Sequence, residues 1–251
     1  MIAGLVFRSL LIAVIFAGSV FLMISGNFLT GLILHSLLVG WLLAGTLNPS
    51  SRLFGSIRTR CGNGIWLTLD DGPDPETTPA ILELLDRHGA KATFFVIGKK
   101  AEKYPELVRE IAARGHQLAN HTYSHPQASF WCHGAIRTYR EIARCQEVLE
   151  KITGDAPRLF RAPVGHHNVF VHPVLRHFGM ELIGWESRGF DAGPGATFES
   201  VSAKIRASAT DGSIVLAHEA TPFAVEVVAD IIAMAKENGW AVTLPDASPE
   251  S

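Results

Sequence analysis

The chemistry-bearing residues of this chain sit in a few short stretches. The run Gly64–Leu69 ("GIWLTL") is apolar and ends in two adjacent carboxylates, Asp70 and Asp71, before the chain turns on "GPDP". Neighbouring carboxylates repel and are costly to bury, so a strand ending in two of them calls for positive charge at that end. Successive side chains of a strand point to opposite sides, so the two need not share one environment. In "HTYSHP", His121 and His125 are four apart, a spacing that puts both imidazoles on one face if the segment is helical. Two histidines and a carboxylate form a recurrent set for a catalytic divalent metal with an open position. Three more polar residues stand beside apolar runs: Arg161 after "RLF", Asp191 after "ELIGW" and His218 after "SIVLA".

Taken singly, each has a plain structural reading. His218 reads as a core histidine, Arg161 as a surface cation, Asp191 as a turn residue before "AGPG" and Trp185 as core. His166, His167 and His172, which follow "RAPVG", read as loop residues. The catalytic candidates are set apart by shared position, because each falls at the C-terminal end of a predicted strand. That edge is where barrels and open α/β sheets build their sites.

The elements needed to hold them there are legible. "GIWLTL", "KATFFVIG", "HQLAN", "RLFRA", "MELIGW", "GSIVLAH" and "WAVTLP" read as seven strands. Helical stretches lie between them. "TTPAILELLDRHG" has an early Pro79 and a stop at Gly89, and "YPELVREIAARG" has an early Pro105 and a stop at Gly115. Helical patterns also cover 134–153, 198–209 and 222–238. Repeated βα units with apolar strands specify an α/β fold with a parallel sheet, either a small or incomplete barrel or an open doubly wound sheet. Neither G-x-G-x-x-G nor a P-loop motif occurs.

Upstream the composition changes. From Ser9 to Ser51 there is no Asp, Glu, Lys or Arg, and the first acidic residue of the chain is Asp70. Ile2–Met23 and Phe28–Leu47 are each long enough to cross ~30 Å of hydrocarbon at ~1.5 Å per residue, with "ISGN" as the break between them. Residues 1–47 therefore read as a membrane-associated helical hairpin. One span plus a membrane-lying helix, or a cleaved signal peptide, are the alternatives. Lone His35 lies in the second span, where it is either functional or partnered. Arg8 precedes the first span's core and Arg52, Arg58 and Arg60 follow the second, with none in the connecting loop. That bias places both ends, and the body, on the cytoplasmic side of the inner membrane; periplasmic or extracellular exposure is the alternative. Three cysteines without a pairing pattern agree with a reducing compartment. Residues 48–62 read as a linker and 63–251 as the catalytic domain. From Cys61 onward there are 18 Lys+Arg against 24 Asp+Glu, net −6 with no basic stripe, which argues against nucleic acid as a partner.

With these residues in view, the body from about Ile65 onward resembles the polysaccharide deacetylases, the carbohydrate esterase group that shares the nodulation-protein-B homology domain. "TLDDGP", "HTYSHP", "RAPVG", "WESRGFD" and "IVLAHE" resemble its five motifs in order, and "ATFFVIG" and "GHQLANH" its connecting segments. The resemblance implies a distorted (β/α)7-type barrel and an amidohydrolase acting on N-acyl, most commonly N-acetyl, amino sugars. It implies Asp70 as general base, with Asp71, His121 and His125 holding a divalent metal: Zn²⁺ first, with Co²⁺, Ni²⁺ or Mn²⁺ as alternatives. It further implies that Arg161 orients the base, that His218 is the general acid and that Asp191 tunes it. Leu216, Trp185, Pro163 and Gly165 are then expected at the substrate. Two positions depart from the family pattern, both near the substrate groove: Val164 stands where an aromatic is usual, and Ala192 where a tryptophan follows the aspartate. A related branch removes formyl groups from lipid-linked amino sugars at the cytoplasmic membrane face. The expected partners are therefore an N-acylated amino-sugar glycan, polymeric or lipid-linked, and membrane lipid. A non-catalytic, membrane-tethered glycan-binding protein is the rival reading.

Overall fold

The computed structural model describes residues 2–245; Met1 and 246–251, the outer ends of the first and last expected segments, lie outside it. Two antiparallel helices come first, α1 (Ile2–Ile24) and α2 (Phe28–Leu47). Both are long and apolar enough to cross a membrane, with mean hydropathies of 2.3 and 1.8 over the qualifying windows, and most of their surface is exposed. They pack closely where Gly31 lies against Ser19 and Met23, and a Cβ there would collide with backbone. His35 shares a hydrogen bond with Ser19 Oγ (3.2 Å), so this histidine has a partner inside the hairpin.

The body alternates strands and helices. β1 (Ile65–Gly72), α3 (Thr78–Arg87), β2 (Ala92–Val96), α4 (Gly98–Lys103), α5 (Pro105–Ala113) and β3 (Gln117–Asn120) make its first half. α6 (Ala135–Thr153), β4 (Leu159–Phe160), α7 (Val171–Phe178), β5 (Glu181–Leu182), β6 (Ser187–Arg188), α8 (Phe198–Ser208), β7 (Ser213–His218) and α9 (Ala224–Glu237) follow. The seven strands are parallel in the order β5-β4-β3-β2-β1-β7-β6. The sheet curls into a half-barrel and does not close. The α/β class and the distorted barrel are thus as expected.

Apolar strands work here because both faces are covered. Leu67, Leu69, Phe94, Val96 and Val215 face the helices, packed with Ile81, Leu85, Val228 and Ile231. Trp66, Phe95, Ile183 and Ile214 fill the concave side. Each fully buried side chain of this size contributes roughly 1.5–3 kcal/mol. The Trp66 indole donates to Thr93 Oγ1 (2.7 Å), so its burial leaves no polar atom unmet.

Two expectations need correction. "WAVTLP" is not a strand: Val242 makes a single bridge to Ile65, because both edges of β1 are already taken by β2 and β7. The seventh strand is instead Ser187–Arg188, too short and polar to carry a strand pattern. Second, residues 48–62 are not a free linker. Phe54 and Ile57 are buried. Arg58 bridges Ile183 beside β5 and Arg60 bridges Ser213 of β7. The Arg58 N–H donates to Leu182 O (3.0 Å) and Cys61 N–H to Gly212 O (2.8 Å). This segment lies across the gap between the sheet's two ends and acts as a stave that the strand pattern lacks.

Candidate active site

The site is built at the C-terminal edge of β1. Asp70 pairs in register with Phe95 and Gly72 with Val96, so Asp71 is an extra residue in the strand. Such a bulge re-aims a side chain. Asp71 takes φ 70°, which costs a non-glycine residue roughly 1–2 kcal/mol, and its carbonyl accepts a hydrogen bond from Lys100 Nζ (2.6 Å). The bulge gives the two aspartates different main partners, Arg161 for Asp70 and His125 for Asp71, while keeping both near His121. Asp70 Oδ2 and Asp71 Oδ1 both approach His121 Nε2, at 3.7 and 3.5 Å.

His121 and His125 also converge differently from the helical expectation. The segment after β3 is a loop, with Thr122 at φ 66° and His125 at φ 50°. The Thr122 hydroxyl accepts the His125 N–H (3.1 Å) and fixes the turn. The two rings stand 4.8 Å apart, and His125 Nε2 lies 3.2 Å from Asp71 Oδ1.

Arg161 is fully buried and ordered by its own donors. It reaches Asp70 Oδ1 (2.7 Å), Thr68 Oγ1 (2.9 Å), Gly184 O (2.8 Å) and Ile183 O (3.3 Å), and its guanidinium lies 4.1 Å over the Phe95 ring. A buried cation is tolerated only when satisfied in this way. One oxygen of Asp70 is thereby held by Arg161 and the other is left facing the cavity.

On the adjacent strand, where His218 of β7 is the register partner of Asp70, Asp191 is buried and holds His218 twice. Its Oδ2 accepts the His218 backbone N–H (2.7 Å) and its Oδ1 accepts Nδ1–H (2.7 Å). Burial pulls the imidazole down, but the hydrogen bond and charge of Asp191 outweigh it and raise His218 to about 9. The cavity between these walls has a volume of about 270 Å³. Leu216, Trp185 and Gly165 line it; Pro163 is buried and does not. Val164 and Ala192, the two departures from the family pattern, both lie on the wall. Arg188 and Phe190, which lie inside the stretch "WESRGFD" but were not singled out, line the cavity with the guanidinium 4.0 Å over the ring.

Asp71, His121 and His125 offer one ligand atom each, all within 4.8 Å of one another. Three observations fit this set to a cation. Asp71 Oδ1 is buried without a hydrogen-bond partner. His121 Nδ1–H donates to Arg161 O (2.8 Å), which leaves the Nε2 lone pair free. Burial pulls His125 down to about 4, so its ring is neutral at neutral pH. Burial pushes the Asp71 carboxyl up, but its close approach to His121 outweighs this and holds it below the usual carboxylate range.

Glu219 escaped the sequence reading although it ends the stretch "IVLAHE". Its side chain is fully buried behind β1 and contacts the Thr78 hydroxyl. It occupies the space that a Cβ on Gly72 would need. Burial raises its carboxyl to about 8. The hints in the sequence were its place in that motif-like stretch and the glycine after the aspartate pair. His167 and His172, by contrast, lie away from the cavity, buried near Phe54 and Gly55.

The model for the family described as "Polysaccharide deacetylase" matches residues 58–183. A peptidoglycan-N-acetylglucosamine deacetylase of Bacillus cereus is 35% identical over 187 residues, covering 71% of this chain and 66% of that protein. A chitooligosaccharide deacetylase of Azorhizobium caulinodans is 35% identical over 167 residues, covering 65% of this chain and 77% of that protein. The structure of peptidoglycan deacetylase PdaC from Bacillus subtilis superposes with a TM-score of 0.67 at 28% identity, over 72% of this chain and 87% of that one.

Proposed function

Because the chain belongs to the polysaccharide deacetylase family, we propose that its cavity hydrolyses the amide of an N-acyl amino sugar, N-acetyl above all, within a glycan. The observation that carries this reading is the placing of two ion pairs, Asp70–Arg161 and His218–Asp191, at the adjoining ends of β1 and β7 beside a ligand triad. Amide hydrolysis needs a base for water and an acid for a poor leaving group. Asp70 Oδ2 takes the proton of the attacking water, while Arg161 holds Oδ1 and offsets the carboxylate's charge. The His218 ring carries its own proton at neutral pH, since Asp191 raises it to about 9. It gives that proton to the departing amine, so a carboxylate and a free amino sugar result. Leu216 and Trp185 enclose the acyl methyl and exclude water around it. Asp71, His121 and His125 would hold a divalent cation, Zn²⁺ for this mixed His/carboxylate set, which supplies polarisation of the carbonyl and acidification of water.

A second reading is favoured by one contact. The wall residue Gly165 lies against Pro49, two residues beyond the end of α2, so the cavity mouth adjoins the hairpin's exit. A mouth so placed suits a lipid-linked amino sugar held at the membrane. The Arg8, Arg52, Arg58 and Arg60 bias puts that substrate on the cytoplasmic face.

The test is deacylation of N-acetyl and N-formyl sugars, free and lipid-linked, with and without chelator. Activity is expected to collapse with chelator and in Asp71→Ala, a loss of about 10²–10³-fold for a missing electrostatic stabiliser. Activity that survives both would sink the metal-assisted reading, and a preference for free oligosaccharides would remove the lipid-linked one.

A further inference from the structure

The face of the body that meets the hairpin is unlike the rest of its surface. Segments 128–140 and 156–180 contain no Asp or Glu, although the body as a whole is acidic. Exposed Arg137, Arg140 and Arg176 have no carboxylate partner among the described residues. Elsewhere on the body, Arg109, Arg114, Arg144 and Arg206 are all ion-paired. Two of the unpaired arginines sit beside the hairpin junction: the charge of Arg137 reaches His133, and that of Arg176 reaches Arg8 of α1 and His172.

Where the hairpin meets this face is an apolar crevice of about 240 Å³, whose lining residue His133 feels the charge of Arg137. Ile12, Leu42 and Leu43 of the hairpin form one wall, and Trp131, Val169 and Phe170 of the body form the other. Trp131 is 36% exposed and nearby Ile136 67%, large apolar residues left open on a charged body. His133 also lines the crevice; it is buried, and its Nδ1 has no hydrogen-bond partner. Depth is fixed by the hairpin. Leu42 stands five residues inside the end of α2, about 8 Å at 1.5 Å per residue. That is the depth of the boundary between headgroups and acyl chains, where tryptophan is at home and arginine reaches lipid phosphate.

We propose that this face is a docking surface for a bilayer bearing anionic phospholipids. An acyl chain fills the crevice beside Trp131 and Phe170, and lipid phosphates sit on Arg137, Arg140 and Arg176. The body then rests on the membrane through its own surface in addition to its helices. The proposal rests on the reading that α1 and α2 span the membrane, and its test keeps the two apart.

Exposed Cys132, which lines the crevice, is a native reporter. The full-length chain is reconstituted into nanodiscs containing phosphatidylglycerol or phosphatidylcholine alone, and labelling of Cys132 by a charged maleimide is timed. Labelling is expected to be slow in the anionic discs. The triple variant Arg137→Glu, Arg140→Glu, Arg176→Glu should label about a hundredfold faster there, the factor for three arginines at an anionic surface. An unchanged melting temperature certifies that the variant is folded. Equal rates in both lipids and in the variant would overturn the proposal. So would protection that appears only with two copies per disc, since a second chain would then be the cover. Release of the protein by alkaline carbonate would instead remove the spanning reading, whatever Cys132 does.

Discussion

Asp191 fixes the behaviour of His218, and the effect is measurable without catalysis. In the metal-free protein, an NMR titration should place the His218 midpoint near 9, and Asp191→Asn should bring it down toward the ordinary 6.5. A folded-state value above the unfolded one means stability that is full below about 6.5 and lost as pH rises through about 9. The stake is up to about 3 kcal/mol, and Asp191→Asn should flatten that stretch of the stability profile. Glu219 acts in another window. Its raised carboxyl binds a proton in the folded state between about 4.5 and 8, where the unfolded chain has lost it. Stability should therefore fall as pH rises across that range, and Glu219→Gln should remove the part of the fall below about pH 6.5, where His218 does not contribute, read as denaturation midpoints at pH 5 and pH 6.5. These two residues also mark what could be read in advance. His218 and Asp191 were visible because each stands at the end of an apolar run. Glu219 was not, because its burial depends on a gap at Gly72 that only the packing of β7 against β1 reveals.

At the level of elements, strand ends carried the information and strand edges hid it. Apolar runs with polar stops placed β1, β2 and β7 and the residues beyond them. The bulge at Asp71 was invisible, because no residue type announces it: an aspartate at φ 70° is held by its neighbours. The stave over 54–61 was also missed, since Pro, Ser, Gly and Arg read as linker and its pairing partners come from both ends of the sheet. A direct test is truncation. A chain beginning at Asn48 keeps Phe54 and Ile57 in place and should melt close to the body of the full protein. A chain beginning at Asn63 loses two buried side chains, each worth roughly 2–5 kcal/mol, and should be unstable or unfolded by circular dichroism.

Across the whole molecule, charge is distributed by location. The carboxylates lie away from the hairpin, and the hairpin itself carries Arg8 alone, whose guanidinium donates to Val169 O (2.9 Å) in the body. Arg8 was legible as an orientation signal; its second use, joining the first helix to the body, was not, because its partner is 161 residues away. Orientation has its own measurement. A tag at the C-terminus should be shielded from external reagents in intact cells and exposed after permeabilisation. Exposure in intact cells would put the body outside and move the substrate toward extracellular polysaccharide.

The stave also bears on where the enzyme can work. A flexible tether of fifteen residues would let the cavity wander over a radius of about 20 Å. Here the chain is pinned within a few residues of leaving α2, by Pro49 against Gly165 and then by Phe54 in the body. With the hairpin in a bilayer, as proposed, the cavity would keep a fixed height and tilt, like a gauge set over a plane. It would then sample sugars that pass at that height, and residues of a glycan farther from the plane would have to be brought down to it.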